Sequence, residues 1–266
     1  MLIGLEIPKP HLETFSQYTD YDFALLHECL HDTHYKRFYR EQALRGRVVM
    51  LDNGMWENGG QPIVDTGTWD EALDVVRPTV VIAPDVWEDY PATVSSTKKF
   101  TAWMHSRWPE VRVMGVVQGR TPTELRDCYL DLVKLGVDAI GWPTLKPDDS
   151  LSYQDRCRDA AKRRIESWEN IWGKGASALP HHLLGYTDPV ELGLYAGYAN
   201  FVSMDTAKPF KWARAGIHRL GVLPTIEPAK KDLTRQMSGD ESDDAKSMLF
   251  ELKRLAGWKS PLHYPW

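Results

Sequence analysis

The sequence lacks the features of disulfide-stabilised, zinc-ribbon and exported proteins. Its three cysteines, Cys29, Cys128 and Cys157, are odd in number, lie far apart and include no CxxC pair. This pattern indicates reduced thiols and a cytoplasmic protein. The N-terminal residues show no basic segment followed by an apolar core, and no apolar run approaches the about 18 residues of a membrane span. We therefore expect no membrane partner.

An excess of basic residues is also missing. The 266 residues include 32 Lys and Arg against 37 Asp and Glu, which gives a formal net charge of −5. If the chain binds a polyanion, its positive charge must therefore be concentrated locally. The first apolar run is not followed by a GxGxxG motif, so the sequence offers no sign of a dinucleotide-binding sheet.

What the sequence does contain is a regular alternation of short apolar runs with helix-length amphipathic segments. Continuous Val, Ile and Met runs are typical of strands that are covered on both faces, as in parallel sheets. The predicted strands lie at 2–7, 47–54, 79–85, 111–119, 137–143, 181–186 and 200–205, with a further one near 219–224. The predicted helices lie at 67–77, 91–108, 122–135, 153–172 and 188–197.

This alternation predicts an α/β fold. Seven or eight βα units in about 250 residues match the size of a (β/α)8 TIM-like barrel, which we expect residues 1–266 to form as a single domain. An open doubly wound sheet is the alternative. The polar stretch 225–245 is predicted to be a mobile loop, and 243–257 a closing helix with Met248, Leu249, Leu252 and Leu255 on one face.

Helix boundaries are marked by capping residues. Thr121 and Pro122 open the helix over 122–135, and Gly136 follows its last residue. Thr68 with Glu71 three residues later matches a capping box for the helix over 67–77.

Polar residues or glycines stand where the predicted strands end. In a parallel barrel these carboxyl ends converge on one mouth, where carboxylates can divide into acid/base and nucleophilic roles. Each also has a plainer interpretation: Asp52 in "DNG" as a turn former, Asp85 after Pro84 as a helix cap, and Asp205 as a loop carboxylate. The residues at the strand ends are Asp52, Asp85, Gln118, Gly141, Gly185 and Asp205.

An ordered set of motifs over residues 47–216 resembles the tRNA-guanine transglycosylase family. The motifs are "LDNGMWENG", "VIAPDVWED", "GVVQGR", "DAIGW", "HHLLGYTDP" and "FVSMDTAKPF…ARAG". Proteins of that family are (β/α)8 barrels that exchange a guanine base for a 7-deazaguanine without breaking the polynucleotide backbone. The resemblance implies that Asp205 is the nucleophile that attacks C1′ of the sugar, and that Asp52 is the general acid/base.

The same resemblance implies a binding site for guanine. Asp85 would accept hydrogen bonds from the N1–H and N2–H groups of the base, and the Gln118 amide would donate to O6. The backbone N–H of Gly141 would approach O6, where a side chain would obstruct the base. Further residues would line the pocket or stack on the base: Leu184, Gly185, Met204 and Trp142.

The chain departs from the family pattern at several places. The residues after Asp52 are Asn-Gly-Met-Trp-Glu where the family has Ser-Gly-Gly-Phe-Gln, and Trp142 stands where a second glycine is common. No cysteine follows Cys157, so the zinc subdomain with which the tRNA enzymes grip tRNA cannot be built. The chain is more similar to compact phage and bacterial enzymes that place 7-deazaguanines such as preQ0 in DNA.

The expected partners are therefore a nucleic acid, DNA in preference to tRNA, and a 7-deazaguanine base, with neither cofactor nor metal. If the chain is phage-encoded, its location would be the host cytoplasm. Lys208, Lys211 and Arg214 closely follow Asp205 and could hold phosphates beside the reacting nucleotide. An accessory protein or a homodimer stays open. A second basic cluster is interpreted as a solvated helix face: Arg156, Arg158, Lys162, Arg163 and Arg164.

The sequence leaves two alternatives to the transglycosylase function open. "HECLH" at 27–31 matches the HExxH motif, in which two histidines one helical turn apart bind zinc and the glutamate acts as base. That motif would make the chain a zinc hydrolase. A catalytically silent barrel that binds partners is the other alternative, and the presence of both Asp52 and Asp205 weighs against it.

Overall fold

The computed structural model describes residues 1–145, 150–172, 178–185, 189–195, 198–220, 228 and 232–257. Along these residues short buried strands alternate with helices, as the apolar runs predict. The strands are β1 Leu2–Leu5, β2 Asp22–Leu25, β3 Val49–Asp52, β4 Val80–Ile82, β5 Arg112–Val116, β6 Ala139–Pro143, β7 His181–Leu184 and β8 Phe201–Thr206.

Helices follow β3 to β7 at the predicted places, and additional ones precede β3 and follow β8. A short 3-10 turn spans Lys9–His11. The helices are α1 Leu12–Ser16, α2 Leu26–His31, α3 Thr33–Leu44, α4 Thr66–Val76, α5 Tyr90–Arg107, α6 Pro122–Leu135, α7 Tyr153–Trp172, α8 Pro189–Tyr195, α9 Lys208–Arg214 and α10 Gly239–Leu255. None of the described helices has the length and apolar character that a membrane span needs.

The strands form one sheet in the order β1-β8-β7-β6-β5-β4-β3-β2. The pairs with a defined register, such as β1 with β8 and β2 with β3, are parallel. From β2 to β8 each strand lies beside the next strand of the sequence, and β1 lies beside β8. A doubly wound sheet would instead reverse its order at a switch point. The fold is therefore α/β of the (β/α)8, TIM-like type, which confirms the fold class predicted from the sequence.

The second strand was not predicted. β2, with the sequence DFAL, is fully buried, but its last residue, Leu25, directly precedes α2 without a polar loop. Residues 221–224 of the predicted strand near 219–224 lie outside the described residues, and Arg219 and Leu220 are not in a strand. Seven of the described strands therefore match predicted ones, and β2 is the additional strand.

The predicted helix caps are right at one helix and wrong at another. Thr121 caps α6 by accepting a hydrogen bond from Glu124 N, and Gly136 ends the helix with a φ of 76°. In α4, however, the N-cap is Asp65, which accepts from the backbone N–H and the hydroxyl of Thr68 at 2.8 Å each. Thr68 thus lies inside the helix, and its predicted capping box with Glu71 is wrong.

The closing helix begins earlier than predicted. α10 starts at Gly239 because Ser238 and Glu241 form a capping box, so residues 239–245 are helical rather than part of the predicted mobile loop. The rest of that loop lies partly outside the described residues. Met248, Leu249 and Leu252 are buried as predicted, whereas Leu255 is only half-buried.

The chain divides into two compact units. The first unit combines Met1–Asp20, Thr144–Trp168 and Leu183–Tyr264. The second consists mainly of the continuous segment Tyr21–Pro143, joined by Glu169–His182. The proposed nucleophile Asp205 belongs to the first unit, and the proposed residues Asp52, Asp85 and Gln118 belong to the second.

Candidate functional site

Asp85 is the centre of a buried polar cluster in the second unit. It follows the carboxyl end of β4, and only 2% of the residue is exposed. Its Oδ1 accepts a hydrogen bond from Asn53 Nδ2 at 2.7 Å, and its Oδ2 accepts one from Gln118 Nε2 at 2.6 Å. Asp85 is therefore not a helix cap; the N-cap of α5 is Asp89.

The ionisation of Asp85 is set by two opposing effects. Burial raises the pKa of its carboxyl group, while the hydrogen bonds from Gln118 and Asn53 lower it; burial is the larger effect, and the pKa stays above the ordinary aspartate value. Each carboxylate oxygen has two lone pairs, so both can accept a further hydrogen bond from a ligand. The cluster thus presents acceptors to a ligand that carries adjacent N–H groups.

Gln118 is held in one orientation by the backbone. Its Oε1 accepts a hydrogen bond from Glu88 N at 3.1 Å, which directs its Nε2 towards Asp85. Glu88 has a φ of 56°, in the left-handed region that residues other than glycine seldom adopt. This strained backbone stands beside the candidate site, as is common where a loop must deliver a backbone group at a fixed position.

Asn53 is a member of the cluster that the sequence reasoning missed. Its Nδ2 also donates to Ala83 O at 2.8 Å, and its Oδ1 accepts from Met55 N at 2.8 Å. The side chain therefore links the end of β3 to the end of β4. Its position one residue after the end of a buried strand was a signal that could have identified it.

Asp52 is the last residue of β3 and is half-buried. Its Oδ2 accepts a hydrogen bond from Gly54 N at 3.0 Å, so it does form the turn that "DNG" indicates. Gly54 has a φ of 67°, and a Cβ there would lie 2.7 Å from Nδ1 of His27. A glycine is thus required at this turn, which fixes the Asp52 carboxylate at the strand end.

Gly141 and Trp142 lie within β6. The Gly141 carbonyl accepts from Val117 N at 3.0 Å. Trp142 is completely buried, and its ring centroid lies 6.1 Å from that of Tyr129 in α6. Trp142 therefore packs against the helix that follows β5, and its stacking on a base stays a prediction.

Two tryptophans that the sequence reasoning did not assign are exposed beside the cluster. Trp56 follows the Asp52 turn and is 69% exposed, and Trp87 follows Asp85 and is 37% exposed. Their ring centroids lie 5.3 Å apart with the rings tilted by 59°. They present a large aromatic surface next to the polar residues of the second unit.

Asp205 is the central carboxylate of the first unit. It lies in β8 next to the last residue of the strand, and only 3% of it is exposed. Its Oδ1 accepts a hydrogen bond from Gly185 N at 3.0 Å. Asp205 thus belongs to the strand rather than to a loop, and a backbone N–H group at the end of β7 orients it.

Three other predicted pocket residues stand at the ends of β7 and β8. Leu184 ends β7, and Gly185 follows it with a φ of 65°. A Cβ on Gly185 would lie 3.1 Å from the hydroxyl of Thr144, so this position favours glycine. Met204 is completely buried in β8, beside Asp205.

Arg164 corrects an interpretation made from the sequence. It was assigned to a solvated face of α7, but it is completely buried and forms an ion pair with the buried Glu191 of α8. Burial alone would lower its pKa, but the charge of Glu191, with contributions from Tyr195, raises it. Arg164 is therefore a buried cation, and exposed Arg158, Lys162 and Arg163 on the same helix fit the predicted solvated face.

The predicted cationic residues of α9 differ in what they contact. Lys208 Nζ lies 5.4 Å from the ring centroid of Trp212. Arg214 donates at 2.5 Å to the backbone carbonyls of Asp232 and Arg235, and its pKa is lowered by burial and by Arg235. Lys208 and Lys211 are half-buried. The structure thus gives Arg214 a role in holding the 232–235 segment.

The HExxH motif lies on α2, a helix of six residues. Nε2 of His27 lies 3.6 Å from Oε1 of Glu28. Within the described part of the chain, no group of three or more His, Cys, Asp or Glu side chains is placed to hold a metal ion. The zinc-hydrolase alternative therefore gains no support from the placement of these residues.

Comparison of the chain with protein-family models gives no match, and comparison with curated proteins gives none either. The resemblance to the transglycosylases thus depends on the six motifs and their order.

Proposed function

We propose that the chain is a base-exchange transglycosylase that replaces guanine in a polynucleotide, preferably DNA, with a 7-deazaguanine such as preQ0. The observation that carries the proposal is the buried Asp205 at the carboxyl end of β8, oriented by the N–H group of Gly185. It stands where the resembling motif has its nucleophile. Active sites of (β/α)8 enzymes form at these strand ends.

In the first half-reaction, a carboxylate oxygen of Asp205 attacks C1′ of the target nucleotide. The C1′–N9 bond breaks, and its electron pair stays on N9 of guanine. Asp52 in its acid form gives a proton to the departing base. Guanine leaves, and the sugar is held as an ester of Asp205, so one difficult displacement is divided into two easier ones.

In the second half-reaction, the incoming 7-deazaguanine attacks the same carbon. Asp52, now ionised, removes the N9 proton from that base, N9 forms the new bond to C1′, and the ester bond to Asp205 breaks. Asp52 thereby regains its proton and Asp205 its charge. Two inversions at C1′ restore the original configuration, as in retaining glycosidases.

The buried amide–carboxylate cluster supports selectivity for guanine. Ionised Asp85 offers acceptors for the N1–H and N2–H groups of guanine, and the Gln118 amide has a second N–H for O6. Adenine presents an acceptor at N1 and would leave the buried carboxylate facing it. Sites built on such buried polar pairs reject the mismatched base strongly.

The substrate class rests on composition and on residues near Asp205. Within the given sequence no cysteine follows Cys157, so these residues supply no cysteine-ligated zinc site of the kind with which the tRNA enzymes grip tRNA. Lys208 and Lys211 could contact phosphates beside the reacting nucleotide. A base within a duplex is unreachable, so the target nucleotide must be flipped out or single-stranded. The free thiols of all three cysteines support a reducing cytoplasm as the place of action.

Incubation with radiolabelled guanine or preQ0 tests the proposal. Duplex DNA, single-stranded DNA and tRNA are offered in parallel, and label in the recovered polymer is counted. We expect incorporation into DNA. Incorporation into tRNA alone would overturn the DNA preference, and no incorporation into any polymer would overturn the exchange reaction.

A pair of variants assigns the chemistry to Asp205. Asp205→Asn should lower the exchange rate by more than about 10³-fold, because the amide cannot form the glycosyl ester. The covalent protein–oligonucleotide adduct on a denaturing gel should disappear as well. Asp74→Asn, at an exposed position of α4, is the control and should match the wild type. An adduct that survives in Asp205→Asn would remove Asp205 as the nucleophile.

A further inference from the structure

Arg164 is a buried charge that the proposed chemistry does not use. It lies on the buried face of α7 with Cys157, Ala161 and Trp168, and none of the residue is exposed. A guanidinium presents five N–H donors in a rigid fork, so one buried side chain can bind several acceptors in fixed directions. The acceptors of the Arg164 guanidinium therefore indicate which groups this side chain positions.

The guanidinium divides its donors between an acidic side chain and the end of β7. Nε donates to Glu191 Oε1 at 2.7 Å, and Nη2 lies 2.5 Å from the same oxygen. Nη1 donates to Leu184 O at 3.1 Å and to Gly185 O at 3.0 Å, and Nη2 also reaches Gly185 O at 3.0 Å. Glu191 thus neutralises the cation, and the remaining donors hold two successive carbonyls.

One of these carbonyls shares a peptide plane with the N–H group that contacts Asp205. The C=O of Leu184 and the N–H of Gly185 belong to the same rigid, planar amide and point in opposite directions. Arg164 holds the oxygen end of this amide, and Asp205 Oδ1 accepts from the nitrogen end at 3.0 Å. The hydroxyl of Thr144 adds a donor to Leu184 O at 3.3 Å.

This arrangement acts on Asp205 in two ways. A hydrogen bond from a cation to a carbonyl polarises the amide and strengthens the hydrogen bond that its N–H donates. The planar amide also transmits position, because rotation about the Leu184–Gly185 unit would break the contacts at both ends. The buried ion pair with Glu191 holds the guanidinium itself in place.

We propose that Arg164, paired with Glu191, is a positioning residue for the Asp205 carboxylate and acts on it through the Leu184–Gly185 peptide. This inference rests on the proposed function for its catalytic consequence. The oriented N–H holds the attacking carboxylate in line in the first half-reaction. In the second it stabilises the negative charge that returns to the same carboxylate as the ester bond to C1′ breaks.

A double variant tests the inference. Arg164→Met alone would leave Glu191 buried without its cation and risks misfolding. The double variant Arg164→Met/Glu191→Leu removes both charges and keeps apolar volume, a replacement that buried ion pairs often tolerate. Arg163→Gln, at the exposed neighbouring position of α7, is the matched control.

The first measurement is hydrogen exchange of the Gly185 amide, which requires no activity. In the double variant we expect this amide to exchange at least about tenfold faster, with the amide of Ile82 in β4 as reference for global opening. Arg163→Gln should match the wild type. Unchanged protection of Gly185 in a folded double variant would overturn the inference. If the wild type proves inactive on every polymer, the proposed function fails while this measurement still decides the positioning role.

The second measurement separates positioning from simple destabilisation. If the wild type exchanges bases, the double variant should lose about a hundredfold in kcat, as misplaced reacting groups do, with KM for the incoming base within about twofold of the wild type. A variant that was merely less stable would also lose rate with KM unchanged, because less of the protein is active. Rates are therefore divided by the folded fraction measured by urea unfolding, and after this correction a merely destabilised variant would match the wild type. An unchanged kcat per folded molecule would contradict the inference.

Discussion

Asp85 illustrates how a single buried side chain can limit the pH range of a site. Its two carboxylate oxygens accept from Asn53 and Gln118, yet burial keeps its pKa above the ordinary value. In its proposed role as an acceptor for guanine, Asp85 must be ionised. Guanine binding should therefore weaken on acidification at a higher pH than an ordinary aspartate would impose.

The raised pKa also predicts how stability depends on pH. The folded chain holds the Asp85 proton more tightly than the unfolded chain, so the protonated form adds stability that is fully present below the unfolded pKa. That stability is lost as the pH rises through the folded pKa. The free energy of unfolding of the wild type minus that of Asp85→Asn should therefore fall as the pH increases across this window. Urea unfolding of both proteins at a series of pH values measures it.

Two outcomes would contradict this account of Asp85. A free energy of unfolding that rises with pH for the wild type relative to Asp85→Asn would mean that the carboxylate is stabilised rather than penalised in the fold. Unaltered discrimination between guanine and adenine by Asp85→Asn would remove the residue from base recognition.

At the residue scale, the sequence located most candidate positions but not their partners. Asp52, Gln118 and Asp205 all stand at strand ends as predicted, because the end of an apolar run is visible in the sequence. Arg164 was assigned to solvent because charged neighbours surround it. Its spacing from Cys157, Ala160, Ala161 and Trp168, however, follows the buried face of α7, and this periodicity was the overlooked signal.

The sequence predicts one shared role, phosphate binding, for the cationic residues of α9, but these residues differ in their contacts. Arg214 holds the carbonyls of Asp232 and Arg235. If Lys211 holds a phosphate as proposed, Lys211→Gln should reduce the slope of log affinity against log salt for an oligonucleotide by about 1, because one phosphate contact is lost. Arg214→Gln should instead lower the free energy of unfolding by about 1 kcal/mol, because both carbonyls lose their donor.

Anisotropy titrations at several salt concentrations and urea unfolding measure the two effects. The assignment would be wrong if Lys211→Gln kept the full salt slope, or if Arg214→Gln changed that slope and left stability unaltered.

Helices and strands were predicted accurately where capping or turn residues mark their ends. α6 was located accurately since Thr121, Pro122 and Gly136 all mark its ends. β2 was missed because its four residues run into α2 without a turn residue between them. The start of α4 was misassigned because Asp65 and Thr68 both belong to the residue types that commonly cap helices. The hydrogen bond that Thr68 N donates to the Asp65 carboxylate identifies Asp65 as the cap.

The reactivity of the cysteine thiols reports whether the two units are folded. The three cysteines are free and buried, with Cys29 and Cys128 in the second unit and Cys157 in the first. Burial raises the pKa of Cys29 and of Cys128 to about 12, so their reactive thiolate forms are scarce near neutral pH. At pH 8, Ellman's reagent should leave both unmodified in the native protein and modify all three cysteines in denaturant.

The labelled residues identified by mass spectrometry would show which unit opens first on mild denaturation. Rapid modification of Cys29 or Cys128 in the native protein would contradict the buried environment assigned to them.

The pairing of β1 with β8 has a consequence for biosynthesis. Leu2 pairs with Ser203, so the chain must close a loop of about 200 residues before β1 finds its neighbour, a slow step for contacts so distant in sequence. Tyr21–Pro143, by contrast, is continuous and can collapse as it leaves the ribosome. We therefore expect the apolar β1 segment to stay unpaired until β8 has been synthesised. Its exposed backbone and apolar side chains make it a binding site for a chaperone on the nascent chain.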